Sequence, residues 1–211
     1  MVSTRPATGL RIADELFLIV YDRAFARPST APRATGLGMA AALLGELVLE
    51  GSVTIVSGRL VAVDRWPSAD LETHPVLARI VAEPRHLTVR RWLDLLGPDA
   101  METVGQRMVR AGGARRSETR RLWRTTVRYC PVEADAARAS VTRLRDLLAK
   151  HTALTADDVT LASLVGAVGL GHEVLSDPAD QGALARLTAT LPAPLHELVV
   201  QVQAAAGDIA G

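Results

Sequence analysis

The chain has 211 residues, 48% of them hydrophobic but only 3% aromatic, enough for a sizeable core built from Leu, Val and Ala. That composition argues for packed helices over a sandwich or barrel, and one cysteine, Cys130, excludes an internal disulfide or a cysteine-rich metal site. With 24 basic and 23 acidic residues, the net charge of +1 selects no partner, but residues 101 to 130 carry eight Arg against two Glu.

Residues 1–9, MVSTRPATG, are polar and turn-rich and read as a short disordered arm, with one domain expected over 10–211. Leu10 to Asp22 places Ile12, Leu16, Ile19 and Val20 at helical spacing and predicts a first core helix. RAFARPSTAPRATGLG, rich in Pro, Gly and hydroxyls, predicts a loop, and Met39 to Gly51 a second helix capped by Gly51. SVTIVSGRLVAVD then predicts a hairpin turning at Ser57-Gly58.

After the loop RWPSADLETH, PVLARIVAE predicts a short helix with Pro75 in its first turn and Pro84 as its stop. LTVRRWLDLLG predicts another helix, stopped by Gly97-Pro98, and METVGQRMVRAGG a further one that starts at Asp99 and closes on Gly112-Gly113. Ala114 to Tyr129 is expected to form a second hairpin turning near Ser117 to Thr119, with Pro131 ending the strand; Tyr129 and Trp123 fit core anchors first, with interfacial membrane residues or stacking platforms as the other roles open to them. The remainder is helical: ADAARASVTRLRDLLAKH, the apolar run Val159 to Leu175, ALARLTATL, and APLHELVVQVQAAAGDI.

Val159 to Leu175 carries apolar residues around its whole circumference, which predicts a central helix enclosed by protein. Thr155, Asp157 and Asp158 suit its start, Ser176 to Pro178 its stop, and Gly166, Gly169 and Gly171 close approach of neighbours within it. The run is too short for a membrane span. The expected fold is therefore mainly α: one helical domain around a buried helix, with a short β-hairpin after the second helix and a second, basic hairpin.

No motif points to catalysis. His172-Glu173 and His196-Glu197 begin like a zinc-protease motif but lack the second His at i+4, no phosphate-binding glycine loop or nucleophile elbow occurs, and Cys130 has no sequence-visible base. No metal, cofactor or catalytic residue is expected. The remaining chemical signal is the arginine block, Arg107, Arg110, Arg115, Arg116, Arg120, Arg121, Arg124 and Arg128, where so many guanidiniums repel one another unless anions are near. Three readings stay open: an anionic membrane surface, a nucleic acid bound by a winged-helix-like unit from Pro75 to Tyr129, and a self-assembling scaffold whose arginines meet the acids of a second copy. The predominance of Arg over Lys suggests a high-GC bacterial source, and the lack of a signal sequence a cytoplasmic location, peripheral at the inner face of the membrane where lipid is bound.

The order of segments resembles the Golgi phosphoprotein 3 family, phosphatidylinositol 4-phosphate adaptors of the Golgi with bacterial members. It is carried by LRIADELFLIVYD, ALLGELVLEGSV, VRRWLDLLG, RMVRAGG, CPVEADAARASVTRLRDLL and TLASLVGAVGLGHEVL, from about Leu10 to the C-terminus. The resemblance implies a mostly helical domain, a protruding hairpin that takes part in self-association, and a basic pocket for an inositol phosphate headgroup. The positions matching the family's lipid-binding Trp and Arg residues are Ala31, Ala40, Pro98 and Met101 here, so headgroup selectivity is expected to be reduced or lost. Arg33, Arg107 and Arg110 are the candidates for a shifted anion site; Arg115, Arg116, Arg120, Arg121 and Arg124 form the basic hairpin expected to meet an anionic surface or another subunit. The long family tail that engages partners is nearly absent before Leu10.

Overall fold

A computed structural model describes residues 9–26, 32–63, 73–83, 85–121, 124–150, 154–175 and 178–210. In chain order the elements are α1 Ile12–Ala26, α2 Pro32–Leu49, β1 Val53–Val56, β2 Arg59–Ala62, α3 Thr73–Ala82, α4 Val89–Arg110, β3 Ala114–Arg121, β4 Arg124–Pro131, α5 Ala134–Lys150, α6 Ala156–Ala167, the single turn α7 Gly171–Val174, α8 Pro178–Thr188 and α9 Ala193–Ala210. The fold is the expected helical domain with two antiparallel hairpins, β1-β2 and β3-β4.

Helix α2 forms the axis. It begins at Pro32, seven residues before the expected start at Met39, because Pro suits the first helical turn and the small residues after it fit the core. Every residue from Ala34 to Leu47 is buried, and α1, α3, α4, α6 and α9 pack around it. Its glycines permit this: a Cβ on Gly36 would lie 2.4 Å from the Gly97 carbonyl oxygen, and one on Gly38 2.3 Å from Val168 Cγ1. Gly36 meets Gly97 and Glu46 meets Arg107, so α2 and α4 run parallel over ten residues, about 15 Å. Gly51 ends the unit with φ of 75°, and Ser52 N–H donates to Leu47 O, the αL cap the sequence predicts.

Gly97-Pro98 does not stop α4, which runs unbroken for 22 residues. A proline inside a helix costs about 3 kcal/mol. Against that, Ala100, Val104 and Met108 beyond it are buried as fully as Trp92, Leu93 and Leu96 before it, and each large apolar side chain contributes about 1.5–3 kcal/mol. Burial outweighs the breaker. The helix closes as predicted at Gly112, φ 76°, with Gly113 N–H donating to Met108 O.

The first hairpin turns where expected, Ser57 and Gly58 both having positive φ (50° and 74°), which identifies a type I′ turn. The second does not turn at Ser117 to Thr119. Its register runs from Ala114↔Pro131 to Arg121↔Arg124, so Ser117 sits in mid-strand opposite Arg128 and the connection is Leu122-Trp123. The base sets that register: Val132 N–H donates to Gly113 O, and Tyr129 lies directly on Gly105 of α4. Tyr129 is the core anchor the sequence suggests; Trp123 and Pro84 lie outside the described residues.

The run Val159 to Leu175 is buried from Val159 to Val165 but is not one helix. Gly169, at φ 85°, ends α6: its N–H donates to Gly166 O and Leu170 N–H to Val165 O, and the chain restarts at Gly171. Gly166 and Gly171 do serve close approach as the sequence suggested: Leu184 of α8 lies 3.7 Å from a Cβ built on Gly166, and Gly166 Cα of α6 lies 3.6 Å from one built on Gly171. Thr155 caps α6 in a capping box with Asp158. Among the described residues no helix is long and apolar enough to cross a membrane.

Candidate functional site

The arginine block divides at the end of α4. Arg107 faces inward and is buried, its Nη1 and Nη2 donating to Glu46 Oε2 and Oε1 at 2.7 and 3.0 Å and its Nε to Asp14 Oδ1 at 2.9 Å. Glu46 also accepts from the Ala13 backbone N–H at 2.9 Å and lies 3.3 Å from Arg11 Nε, and Arg11 reaches on to Glu50. Burial pushes the Glu46 carboxyl above its ordinary range, against the pull of Arg107 and Arg11. Arg107 therefore ties α1, α2 and α4 together, and its guanidinium is committed to carboxylates. Those partners carried a sequence signal: Glu46 is the one acid in the apolar run of α2, and Asp14 and Glu15 are adjacent acids opening the apolar run of α1.

A second internal cluster joins α1, α5 and α6. Arg143 donates to Asp158 Oδ1 at 2.7 Å and Glu15 Oε2 at 2.5 Å, and Thr155 Oγ1 donates to Asp158 Oδ2 at 2.6 Å. Burial raises the Asp158 pKa, but the Thr155 and Arg143 hydrogen bonds outweigh it and hold the carboxyl below its usual range. Asp157 beside it is pushed up by burial and by the Asp158 charge.

The rest of the block is a surface. Arg110 is exposed at the last position of α4, and Arg115, Arg116, Arg120 and Arg128 are exposed on the hairpin that follows. Arg116 and Arg120 alternate with Glu118 on one face, where Arg116 pairs with Glu118 and its pKa is raised by Tyr129 and Glu118. The register puts positions 115, 121, 124 and 128 on the other face, with 121 directly opposite 124. Glu118 is the single acid in the hairpin sequence.

The hairpin base is fixed on both faces. Beside the Tyr129 anchor, the Tyr21 hydroxyl of α1 donates to Cys130 Sγ at 2.8 Å. Burial and that bond push the Tyr21 pKa up to about 12. Arg33 stands apart, exposed in the first turn of α2 and 13 residues, about 20 Å of helix, from Glu46. The structure thus brings Arg110 beside the hairpin, turns Arg107 into the core, and leaves Arg33 at the other end of α2. Ala40 and Met101 lie one turn beyond Gly36 and Gly97 at the helix crossing, and Pro98 is exposed beside it; these three positions present no guanidinium there. Ala31 lies outside the described residues.

The chain matches no curated protein. The family model of Golgi phosphoprotein 3 (GPP34) matches residues 12–207, which spans both internal ion clusters and the basic hairpin, and the chain belongs to that family.

Proposed function

We propose that the protein is a non-enzymatic adaptor that docks peripherally on an anionic membrane surface from the cytoplasmic side, through the basic hairpin and Arg110. The observation that carries this reading is the exposure of Arg115, Arg116, Arg120 and Arg128 on a two-stranded unit whose sequence holds one acid. Each basic side chain near a negatively charged lipid surface contributes about 1 kcal/mol, so these residues supply useful affinity together and little singly. Between the paired Arg121 and Arg124 the sequence holds Leu122 and Trp123, an apolar residue and a residue type enriched at the membrane interface. Because Ala40, Pro98 and Met101 offer no cation at the helix crossing, binding follows surface charge more than headgroup identity.

The nucleic-acid reading draws less support: α4 runs through the expected stop at Gly97-Pro98, and Arg107 is turned into the core and away from any phosphate. The test is liposome flotation with phosphatidylcholine vesicles alone, with added phosphatidylserine, and with phosphatidylinositol 4-phosphate at matched charge, each over a salt series. Flotation with both anionic vesicles that falls steeply with salt supports the proposal. No flotation on either, or a mobility shift of duplex DNA at lower protein concentration, contradicts it.

A further inference from the structure

Ser117 is an exposed hydroxyl set among arginines on the basic hairpin. It follows Arg115-Arg116 directly in sequence and sits in mid-strand, opposite Arg128 of β4. Side chains directly across an antiparallel ladder have Cβ atoms about 5 Å apart, and residues two apart along a strand share a face. Ser117 therefore shares its face with Arg115 and Arg128, and all three are exposed. Glu118, the one acid of the hairpin sequence, alternates onto the other face, where it pairs with Arg116. The contacts that hold the ribbon to the domain, Tyr129 on Gly105 and Tyr21 on Cys130, lie one and two register positions nearer the base than Ser117. Among the described residues β3 pairs with β4 alone, so no further strand takes up its other edge.

An exposed hydroxyl on an extended segment is the form in which a protein kinase takes its acceptor. Arg115-Arg116 before Ser117 and Arg120-Arg121 after it complement an acidic substrate groove. A phosphoryl group adds about −1.5 to −2 charge and three acceptor oxygens. At Ser117 that charge would stand between the guanidiniums of Arg115 and Arg128, on a face where the hairpin sequence places no carboxylate. We propose that Ser117 is a phosphorylation site for a serine/threonine kinase that selects arginines before the acceptor, and that its phosphate, held by Arg115 and Arg128, weakens docking on anionic lipid. The kinase brings ATP: the bond from Ser117 Oγ to the γ-phosphorus forms, the bond from that phosphorus to the oxygen bridging the β-phosphate breaks, ADP leaves, and the hydroxyl proton passes to the catalytic carboxylate of the kinase.

The effect on docking rests on the lipid-surface reading; the choice of acceptor does not. The full chain is incubated with ATP, Mg²⁺ and the catalytic domain of an arginine-directed serine/threonine kinase, beside Ser117→Ala, and the phosphate is located by peptide mass mapping. The expected result is one phosphate on Ser117, lost in Ser117→Ala. No incorporation, or phosphate on Thr119, Thr125 or Thr126 in preference to Ser117, would overturn the assignment. In parallel, the chain with genetically encoded phosphoserine at 117 is floated with phosphatidylserine-containing vesicles beside the unmodified chain. Apparent affinity is expected to fall about tenfold or more, because the added charge offsets the contribution of one to two arginines. Equal flotation of the two forms would overturn the regulatory effect, and matching thermal melts separate lost docking from lost fold. An unmodified chain that does not float contradicts the lipid reading and the regulation with it, while the mass map still decides the acceptor. The ³¹P titration of the phosphoserine is expected below its ordinary second pKa of about 6 and closer to it in Arg128→Gln. An ordinary value in the unsubstituted chain would contradict a phosphate held by Arg115 and Arg128.

Discussion

Arg107 and Glu46 form a bidentate ion pair in the core, 61 positions apart in sequence and 2.7 Å apart at the closest contact. The pair accounts for why one member of an arginine-rich segment is unavailable to solvent, and it joins the axial helix α2 to its parallel neighbour α4. Removing one partner strands the other charge, so Arg107→Met is expected to lower unfolding free energy by about 3–5 kcal/mol in urea melts. Adding Glu46→Leu is expected to restore part of that loss, since the orphaned carboxylate disappears. A double variant less stable than Arg107→Met would contradict this assignment.

The Gly36 and Gly97 crossing gives a sharper packing test. A methyl at Gly36 meets a backbone carbonyl at 2.4 Å, and neither helix can yield without separating from the other. Gly36→Ala is expected to destabilise by about 1–3 kcal/mol. Gly207→Ala, where nothing lies within 4 Å inside α9, should instead raise stability by about 0.5–1 kcal/mol, and thermal melts of the two variants should move in opposite directions.

Asp158 links stability to acid pH. Its folded-state pKa lies below the usual value, so its stabilising contribution is full above about pH 4 and is lost as pH falls through the folded value. The stability difference between wild type and Asp158→Asn should therefore be constant through neutral pH and shrink in acid. A difference that persists at low pH would show that Thr155 and Arg143 do not act on the ionised carboxylate.

Tyr21 gives the alkaline counterpart. Its pKa of about 12 lies above the ordinary value near 10, so its contribution is complete below pH 10 and declines as pH rises toward 12. Absorbance titration of the two tyrosines should show one late transition near pH 12 that is missing from Tyr21→Phe. Loss of the same transition in Cys130→Ala would be expected to be partial, because burial is the larger cause and the Cys130 bond the smaller.

Sequence pattern alone identifies which stretches are helical, both hairpins, the Thr155 cap and the glycine stops at Gly51 and Gly112, but not every helix boundary, because each of these depends on neighbours within a few positions. What it misses depends on distant ones. Pro98 stays helical because residues on both sides of it are buried against α2, and the second hairpin pairs on past Ser117 to Thr119, out to Arg121 opposite Arg124, because Tyr129 and Gly105 fix its register from the base. Gly169 breaks the apolar run by adopting φ of 85°, which composition does not separate from the close-packing role of Gly166. Arg107 looks like its exposed neighbours by charge; only its α2 and α1 partners set it apart.

The most direct test of membrane docking is flotation of the triple variant Arg115→Glu, Arg116→Glu and Arg120→Glu with phosphatidylserine-containing vesicles, beside wild type. At about 1 kcal/mol for each arginine removed, apparent affinity should fall at least about a hundredfold, with the fold intact because all three side chains are exposed. Unchanged flotation of this variant, with wild-type thermal stability, would contradict docking through the hairpin.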